Sequence, residues 1–307
     1  MTVSLDYNIP VLSEGQPINV GVIGRGFVGG SIFKFLTEKA PGHWRVRSYD
    51  LSDDADMATA YDLLVRTSDI IYLCLPTPMD KEGKCCLDIV HSAAELLNDK
   101  AKQYNKIPTL LIKSTMVPGT TEKLQEAYPH LFIVTNPEFL TERSAYEDLK
   151  NSTKHVLGFQ IDANGRREML DFYHKRLWPE ADIIYLSSIE AELVKYLTNS
   201  YFAVKVSFAN HIYQLSEALG VDYNSFINKA ISADPRIEQT HWQVPGPDGK
   251  LGFGGSCFPK DLNGMITLFK EQGLSPYLLQ TALNYNSLIR PEKDWEQLVG
   301  RAVVKEE

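Results

Sequence analysis

A glycine pattern near the start most narrows what this chain can fold into. Residues 18–23 form a short apolar run, Gly24-Arg25-Gly26-Phe27-Val28-Gly29 follows, and Ile32, Phe33, Phe35 and Leu36 then recur at helical spacing. Strand, glycine turn and helix in that order form the dinucleotide fingerprint. The glycines make the tight turn and let a pyrophosphate approach the helix N-terminus. Residues 44–49 read as a second strand ended by Asp50, an acid suited to the adenosine ribose hydroxyls. The next residues, Leu51-Ser52-Asp53-Asp54, hold no arginine for a 2′-phosphate, so the reading favours NAD over NADP. A plain turn residue is the alternative for Asp50.

Three further apolar runs, 70–75, 110–112 and 131–134, end in Pro76-Thr77-Pro78, Lys113-Ser114-Thr115 and Asn136-Pro137-Glu138. Helical patterns separate them. Near-continuous apolar strands alternating with helices predict an α/β fold, a Rossmann-like doubly wound parallel sheet. Ligands of such sheets bind beyond the carboxyl ends of the strands, where Thr77, Thr115 and Glu138 fall. Singly, each is equally a solvated loop residue.

The second half reads as an all-α domain built on one long helix. Ser187 and Ser188 are N-cap residues, Glu190 and Glu192 lie in the first turn, and Gly220 closes a helix over 188–219. At 1.5 Å per residue its length is about 45 Å, which suits a helix that links domains or packs on a second subunit. Lys195 and Asn199 share one face. The residues around them, Leu193, Val194, Leu197, Tyr201, Phe202 and Val204, are apolar, which predicts a largely buried helix whose polar stripe faces a site. Further on, Gly252-Phe253-Gly254-Gly255-Ser256-Cys257-Phe258-Pro259-Lys260-Asp261 places a cysteine just before a helix. Pro259 suits the first turn, Leu262, Met265, Ile266 and Phe269 continue the period, and Gly273 ends it. A helix N-terminus and the nearby Lys260 both favour a thiolate at Cys257. An inert core cysteine is the alternative, which the flanking residues disfavour.

The formal net charge of −8 is spread along the chain, which argues against a nucleic-acid surface. No basic run, membrane-spanning stretch or signal peptide is expected, and the spacing of Cys74, Cys85, Cys86 and Cys257 resembles neither a metal site nor a disulfide framework. A reducing cytoplasm is the expected location, and Cys85-Cys86 reads as incidental loop chemistry. The predicted domains are an irregular tail over 1–17, a nucleotide-binding domain over 18–186 and a helical domain over 187–307.

Taken together, these motifs resemble the UDP-glucose/GDP-mannose dehydrogenases, the UDP-glucose 6-dehydrogenase branch most closely. The carriers are the Gly24–Gly29 turn, Leu75-Pro76-Thr77-Pro78, Ser114-Thr115 with Pro118-Gly119-Thr120-Thr121, and Asn136-Pro137-Glu138-Phe139-Leu140. Ala191-Glu192-Leu193-Val194-Lys195-Tyr196 with Asn199, Asp234-Pro235-Arg236-Ile237 and the cysteine motif complete the set. The resemblance implies an NAD-dependent four-electron oxidation of a nucleotide sugar, UDP-glucose to UDP-glucuronate, through a Cys257 thiohemiacetal and thioester. It implies oxyanion stabilisation by Lys195, a water ordered by Asn199 and Asp261, and a reacting centre lined by Glu138 and Thr115. It implies cofactor contacts from Gly24, Arg25, Gly26, Phe27, Val28, Gly29, Asp50, Pro76, Thr77, Ser114, Thr115, Glu142 and Lys260. It implies substrate contacts from Glu138, Phe139, Leu140, Lys195, Asn199, Phe253, Gly254 and Gly255. Arg236 is expected to reach the substrate of a neighbouring subunit, in a homodimer built on the 188–219 helix.

The chain also departs from the family pattern. Only 17 residues follow Arg290, too few for the family's third, nucleotide-holding domain. The segment from Gln243 to Lys250 is longer than expected and rich in Pro and Gly, and is read as a cover for the substrate site. Asn210-His211 and Arg143 are smaller departures. The alternatives are a UDP-N-acetyl-hexosamine or GDP-mannose dehydrogenase, a non-catalytic NAD-binding partner subunit, and a two-electron hydroxyacid dehydrogenase that works without a cysteine.

Overall fold

The computed structural model describes residues 17–159 and 165–305, so the expected tail lies outside the described residues except for Pro17. The chain divides into two compact units, one of Met1–Leu75 with Asp88–Leu193, the other of Pro76–Leu87 with Val194–Glu307.

The first unit holds β1 (Val20–Ile23), α1 (Phe27–Lys39), β2 (Val46–Tyr49), α2 (Met57–Thr67), β3 (Ile70–Leu73) and α3 (Asp88–Gln103). It continues with β4 (Thr109–Ile112), α4 (Thr120–Ala127), β5 (Phe132–Thr135), α5 (Ala145–Lys150), β6 (Lys154–Gly158), α6 (Arg166–Leu177) and β7 (Asp182–Leu186). The strands form one sheet in the order β2-β1-β3-β4-β5-β6-β7. Every pairing is parallel except that of β5 with β6, which meet antiparallel at Thr135 and Gly158. All residues of β1, β3, β4 and β5 are buried, which is why these strands are near-continuous apolar runs.

Two strands escaped the sequence reading. β6 contains His155, and β7 has half-buried and exposed residues where β1, β3, β4 and β5 are wholly buried. His155 lies 4.5 Å from Trp178 and 5.1 Å from His174 between ring centroids, and Phe35 stacks on Trp178. Burial pushes the His155 pKa down to about 2 and that of His174 to about 4, so both are neutral core rings. The sequence-read strands also ran long, since Cys74 and Leu75 lie beyond β3.

The glycine turn after β1 is a steric necessity. A Cβ on Gly29 would lie 1.8 Å from the Gly24 carbonyl oxygen, and Gly24 has φ +84° with the Cys74 carbonyl oxygen 2.4 Å from its own Cβ position. At Gly26 a Cβ would meet nothing within 4 Å, so the chain there faces open space.

α7 (Ser188–Ala218) starts in the first unit and continues into the second. Its entry is a capping box: the Ser187 N–H and Oγ–H donate to Glu190 Oε2 at 2.9 and 2.7 Å, and the Glu190 N–H donates back to Ser187 Oγ. Glu192 serves another helix. Its buried carboxylate accepts from Gly119 N at 2.6 Å, Thr121 N at 2.7 Å and Thr121 Oγ1 at 2.6 Å, capping the start of α4. Burial pushes the Glu192 pKa up to about 7, against the bonds from Thr121 and Gly119. The folded value exceeds the ordinary one, so this stabilisation is complete below the ordinary glutamate pKa. It fades as pH rises through about 7.

The second unit holds the rest of α7, then α8 (Tyr223–Ala233), α9 (Phe258–Glu271) and α10 (Tyr277–Ile289). Ala203, Phe253, Leu262 and Ile266 form one core cluster, and Ala209, Tyr223, Ile227 and Val244 another. Residues 76–87 join this unit through Met79, whose N–H donates to Ala302 O and whose carbonyl accepts from Val304 N, both at 2.9 Å.

The reading of α7 as a largely buried helix needs correction. Lys195 and Asn199 are each only 6% exposed, whereas Leu197 is 59% and Tyr201 56% exposed. The polar face is turned inward and much of the apolar face outward.

The clamp of Glu192 on α4 gives the first prediction. Glu192→Gln turns an amide NH2 toward a donor it cannot accept from, and is expected to cost about 1–3 kcal/mol. It also removes the titration, so urea unfolding at about pH 5 and pH 8 should show a flatter stability profile than the parent. An unchanged profile would exclude Glu192 as the titrating group.

Candidate active site

Within the second unit, the chemistry gathers around a buried carboxylate. Cys257 is the N-cap residue of α9 and is half-buried, and the thiol makes no capping hydrogen bond. Its carbonyl accepts from Asp261 N at 2.9 Å, closing the first turn. Ser256 Oγ lies 3.7 Å from its sulfur. Asp261 is 1% exposed, and both its oxygens are engaged: Oδ1 by the Lys260 ammonium and Oδ2 by Asn199 Nδ2. Lys195 lies one turn before Asn199 on the same inward face of α7.

Lys260 is buried, which works against its charge. Asp261, then Cys85 and Cys257, outweigh that cost and hold its pKa above the ordinary lysine value. It therefore carries a positive charge that interacts with the thiols of Cys85 and Cys257. Cys85 has a larger part than incidental loop chemistry: it is buried, reaches Thr77 O at 3.9 Å, and interacts with Lys260 and Tyr196. Sequence reading had no signal for this, because Cys85 lies far from Lys260 along the chain. Thr77, read as a strand-end residue, is buried in this unit, and Pro76 beside it is exposed.

The loop before Cys257 is held from three sides. Asn286 is fully buried and bonds Phe253 twice, accepting from its N–H at 2.7 Å and donating to its carbonyl at 2.9 Å. Asn210 Oδ1 accepts from Gly252 N at 3.1 Å. The buried Arg290 guanidinium underlies Gly254, where a Cβ would come within 2.5 Å of it. Arg290 is neutralised by Asp294 at 2.7 Å and by Asp248 at 2.6 Å. Asp248 belongs to the long segment read as a substrate cover. That segment is anchored inward, with Val244 in the core and the Lys250 carbonyl accepting from Gly246 N at 2.7 Å. His211 stacks on Tyr285 with centroids 4.1 Å apart. Arg236 is exposed on a short turn, Pro235–Ile237, and pairs with Asp234.

The first unit carries the other predicted residues, at the carboxyl ends of its strands. Asp50 follows β2 and accepts from Arg25 N at 2.6 Å, Ser52 N at 3.0 Å and Ser52 Oγ at 2.8 Å. These bonds, the one from the Arg25 backbone first, hold its pKa below the usual aspartate value. Gly26 caps α1, whose start carries no side-chain cap, with Phe27 and Val28 in the first turn and Gly29 close behind. After β4, Ser114 Oγ accepts from Leu75 N at 3.0 Å and donates to Leu75 O at 2.6 Å, with Thr115 next in the chain. After β5, Glu138 is buried and accepts from Leu140 N at 2.6 Å; Phe139 is 44% exposed, Leu140 packs on the core and Glu142 is exposed. An uncapped helix start, open space at Gly26 and a preformed acid suit the adenosine and pyrophosphate parts of a dinucleotide.

A mostly parallel sheet with an open glycine turn is the build of a dinucleotide-binding unit, and a cysteine-bearing helical unit accompanies it. Residues 46–177 match the UDP-glucose/GDP-mannose dehydrogenase family, NAD binding domain, and residues 189–288 match its central domain. The chain belongs to the UDP-glucose/GDP-mannose dehydrogenase family. It is 34% identical over 241 residues to UDP-glucose 6-dehydrogenase AglM of Haloferax volcanii, covering 74% of this chain and 54% of that protein. It is 31% identical to UDP-glucose 6-dehydrogenase TuaD of Bacillus subtilis, covering 72% of this chain and 47% of that one. The chain thus spans about half the length of these curated relatives. A solved UDP-glucose dehydrogenase from Pyrobaculum islandicum aligns with a TM-score of 0.75 at 26% identity, over 90% of this chain and 70% of that chain. A 3-hydroxyisobutyrate dehydrogenase from Mycobacterium tuberculosis shares the fold, with a TM-score of 0.68 at 19% identity over 91% and 96% of the two chains.

The clamp on Phe253 is testable. Asn286→Ala leaves a buried N–H and carbonyl unpaired and is expected to cost about 2–4 kcal/mol in urea unfolding. It should also change the rate at which iodoacetamide alkylates Cys257; an unaltered rate would separate Asn286 from the cysteine loop.

Proposed function

We propose that this protein oxidises the C6 alcohol of a nucleotide sugar to a carboxylate, UDP-glucose to UDP-glucuronate, with NAD as acceptor. The observation that carries this reading is Cys257 at the N-terminus of α9 beside the Lys260–Asp261–Asn199 cluster. In this reading the alcohol first gives up a hydride and a proton to become the aldehyde. The Cys257 thiolate adds to the aldehyde carbon, forming a thiohemiacetal. Loss of a second hydride from that carbon and of the proton on its oxygen leaves a thioester, and water then cleaves its C–S bond to release the acid and restore the thiol. NAD supplies the acceptor for both hydrides.

The chain's own residues do the rest. The α9 N-terminus and the Lys260 charge favour the thiolate. Lys195, buried on the inward face of α7, is the cation for the oxyanion of each tetrahedral species. Asp261 and Asn199 hold each other in place and are assigned to the hydrolytic water. Glu138 and Thr115 are assigned to the reacting centre, with Phe139, Leu140, Phe253, Gly254 and Gly255 to the sugar. Gly24, Arg25, Gly26, Phe27, Val28, Gly29, Asp50, Pro76, Thr77, Ser114 and Glu142 are assigned to NAD. Lys260 was grouped with the cofactor residues; its ion pair with Asp261 supports a role at the sulfur instead.

The fold shared with a hydroxyacid dehydrogenase keeps a two-electron reaction as the competing reading, and stoichiometry separates the two. Purified protein given UDP-glucose is expected to form two NADH per acid. Cys257→Ser is expected to stop acid formation while allowing aldehyde to be trapped. One NADH per turnover, or acid formation by Cys257→Ser at the parent rate, would overturn the covalent reading. Turnover of a UDP-N-acetyl-hexosamine or GDP-mannose in place of UDP-glucose would keep the chemistry and change the sugar.

We assign the exposed stripe of Leu197, Tyr201, Phe208 and Leu215 on α7, each more than half exposed, to a homodimer contact. The four recur at intervals that keep one face of the helix, opposite Lys195 and Asn199. The outward Arg236 is the residue assigned to the partner's substrate. Leu197→Asp is expected to shift the protein to monomer in analytical ultracentrifugation, whereas retention of the dimer would place the contact elsewhere.

A further inference from the structure

The sequence around Asp50 reads as lacking an arginine for a 2′-phosphate, but the fold brings one there from the glycine turn. Arg25 points toward Asp53, and its guanidinium is ion-paired with Asp53 Oδ1. The other oxygen of Asp53 accepts from Asp50 N at 2.9 Å. Asp50 in turn accepts from the backbone N–H of Arg25. The three residues form a closed ring at the place where an adenosine ribose meets the end of β2. After the larger effect of burial, Asp56, Asp53 and Asp50 each push the Tyr49 pKa up, so three carboxylates face this corner of the unit.

NAD and NADP differ there by one phosphate, which brings about −1.5 to −2 charges and three acceptor oxygens. An arginine beside the ribose is the group that accommodates such a phosphate, through bidentate hydrogen bonds that a free guanidinium makes well. In this chain that arginine is present but already neutralised. A 2′-phosphate would have to displace Asp53 from Arg25 while facing the carboxylate of Asp50.

We infer that Asp53 is a specificity-determining residue: by holding Arg25 it denies the guanidinium to a 2′-phosphate and selects NAD. Asp50 acts directly, accepting from ribose hydroxyls and repelling a 2′-phosphate, whereas Asp53 acts through Arg25. This rests on the nucleotide-binding unit alone and is independent of which sugar is oxidised.

The test is isothermal titration calorimetry of the full chain with NAD and NADP at one ionic strength, without any sugar. Asp53→Asn keeps an oxygen for the Asp50 N–H but loses the ion pair. It is expected to lower the ratio of the NADP to the NAD dissociation constant by about tenfold or more, the scale of one charge-assisted hydrogen bond gained. Adding Arg25→Ala to that variant should cancel the gain. An unchanged ratio in Asp53→Asn would overturn the inference. An equal gain in the double variant would overturn it too, because relief of negative charge alone would then account for the change.

Discussion

The candidate site in the helical unit depends on one buried charge. Asp261 is almost wholly out of water, and a carboxylate there is tolerable only if its oxygens are paired. One partner, Lys260, is its neighbour on α9; the other, Asn199, comes from α7, far away in sequence. The pairing therefore fixes the first turn of α9 against the inward face of α7. It also explains why Lys260 is charged despite burial, which puts a cation in the first turn of the helix that Cys257 caps. Removing one partner from such a pair costs far more than an exposed ion pair is worth, so structure and chemistry are bound to the same few atoms.

The glycines show the same coupling on the nucleotide side. Gly24 and Gly29 are fixed by carbonyl oxygens that leave no room for a Cβ, whereas Gly26 faces open space. Two of the three glycines are demanded by the turn itself, and the remaining one keeps a path clear for a ligand backbone. Glycines in the cysteine loop divide in a similar way. Gly252 and Gly254 are pressed on Asn286 and Arg290, while Gly255 has a positive φ and an open side.

These constraints explain what could be read from the sequence. Buried parallel strands are continuous apolar runs, and a steric glycine turn is a fixed spacing, so β1, β3, β4 and β5 and the turn after β1 were legible. β6 and β7 were not, because His155 stands in the core as a neutral ring and β7 is only partly buried. Cys257 at a helix start was legible from Pro259 and the period that follows. The partners of that site came from long-range packing and left no local trace: Cys85 beside Lys260, Asn286 on Phe253, and Asp248 on Arg290. Glu192 shows why proximity in sequence misleads. It sits where an acid would serve its own helix dipole, yet its oxygens cap α4.

α7 carries the most general lesson. Its apolar residues suggested a buried helix with a polar stripe, a reading that assumes apolar side chains are the ones inside. In the folded chain the polar groups Lys195 and Asn199 lie inward beside Tyr196, Ala203 and Ala209, and the outward face carries Leu197, Tyr201, Phe208 and Leu215. A helix can be polar inside only where its polar groups find partners, and apolar outside only at a cost that a contacting surface removes. The same inversion sets the proposed chemical face of the helix opposite the face assigned above to a second copy. The chemistry proposed for this chain rests in turn on the head of α9, where Cys257 opens the helix and Lys260 and Asp261 pair within its first turn, because a fold shared between proteins does not by itself assign a reaction.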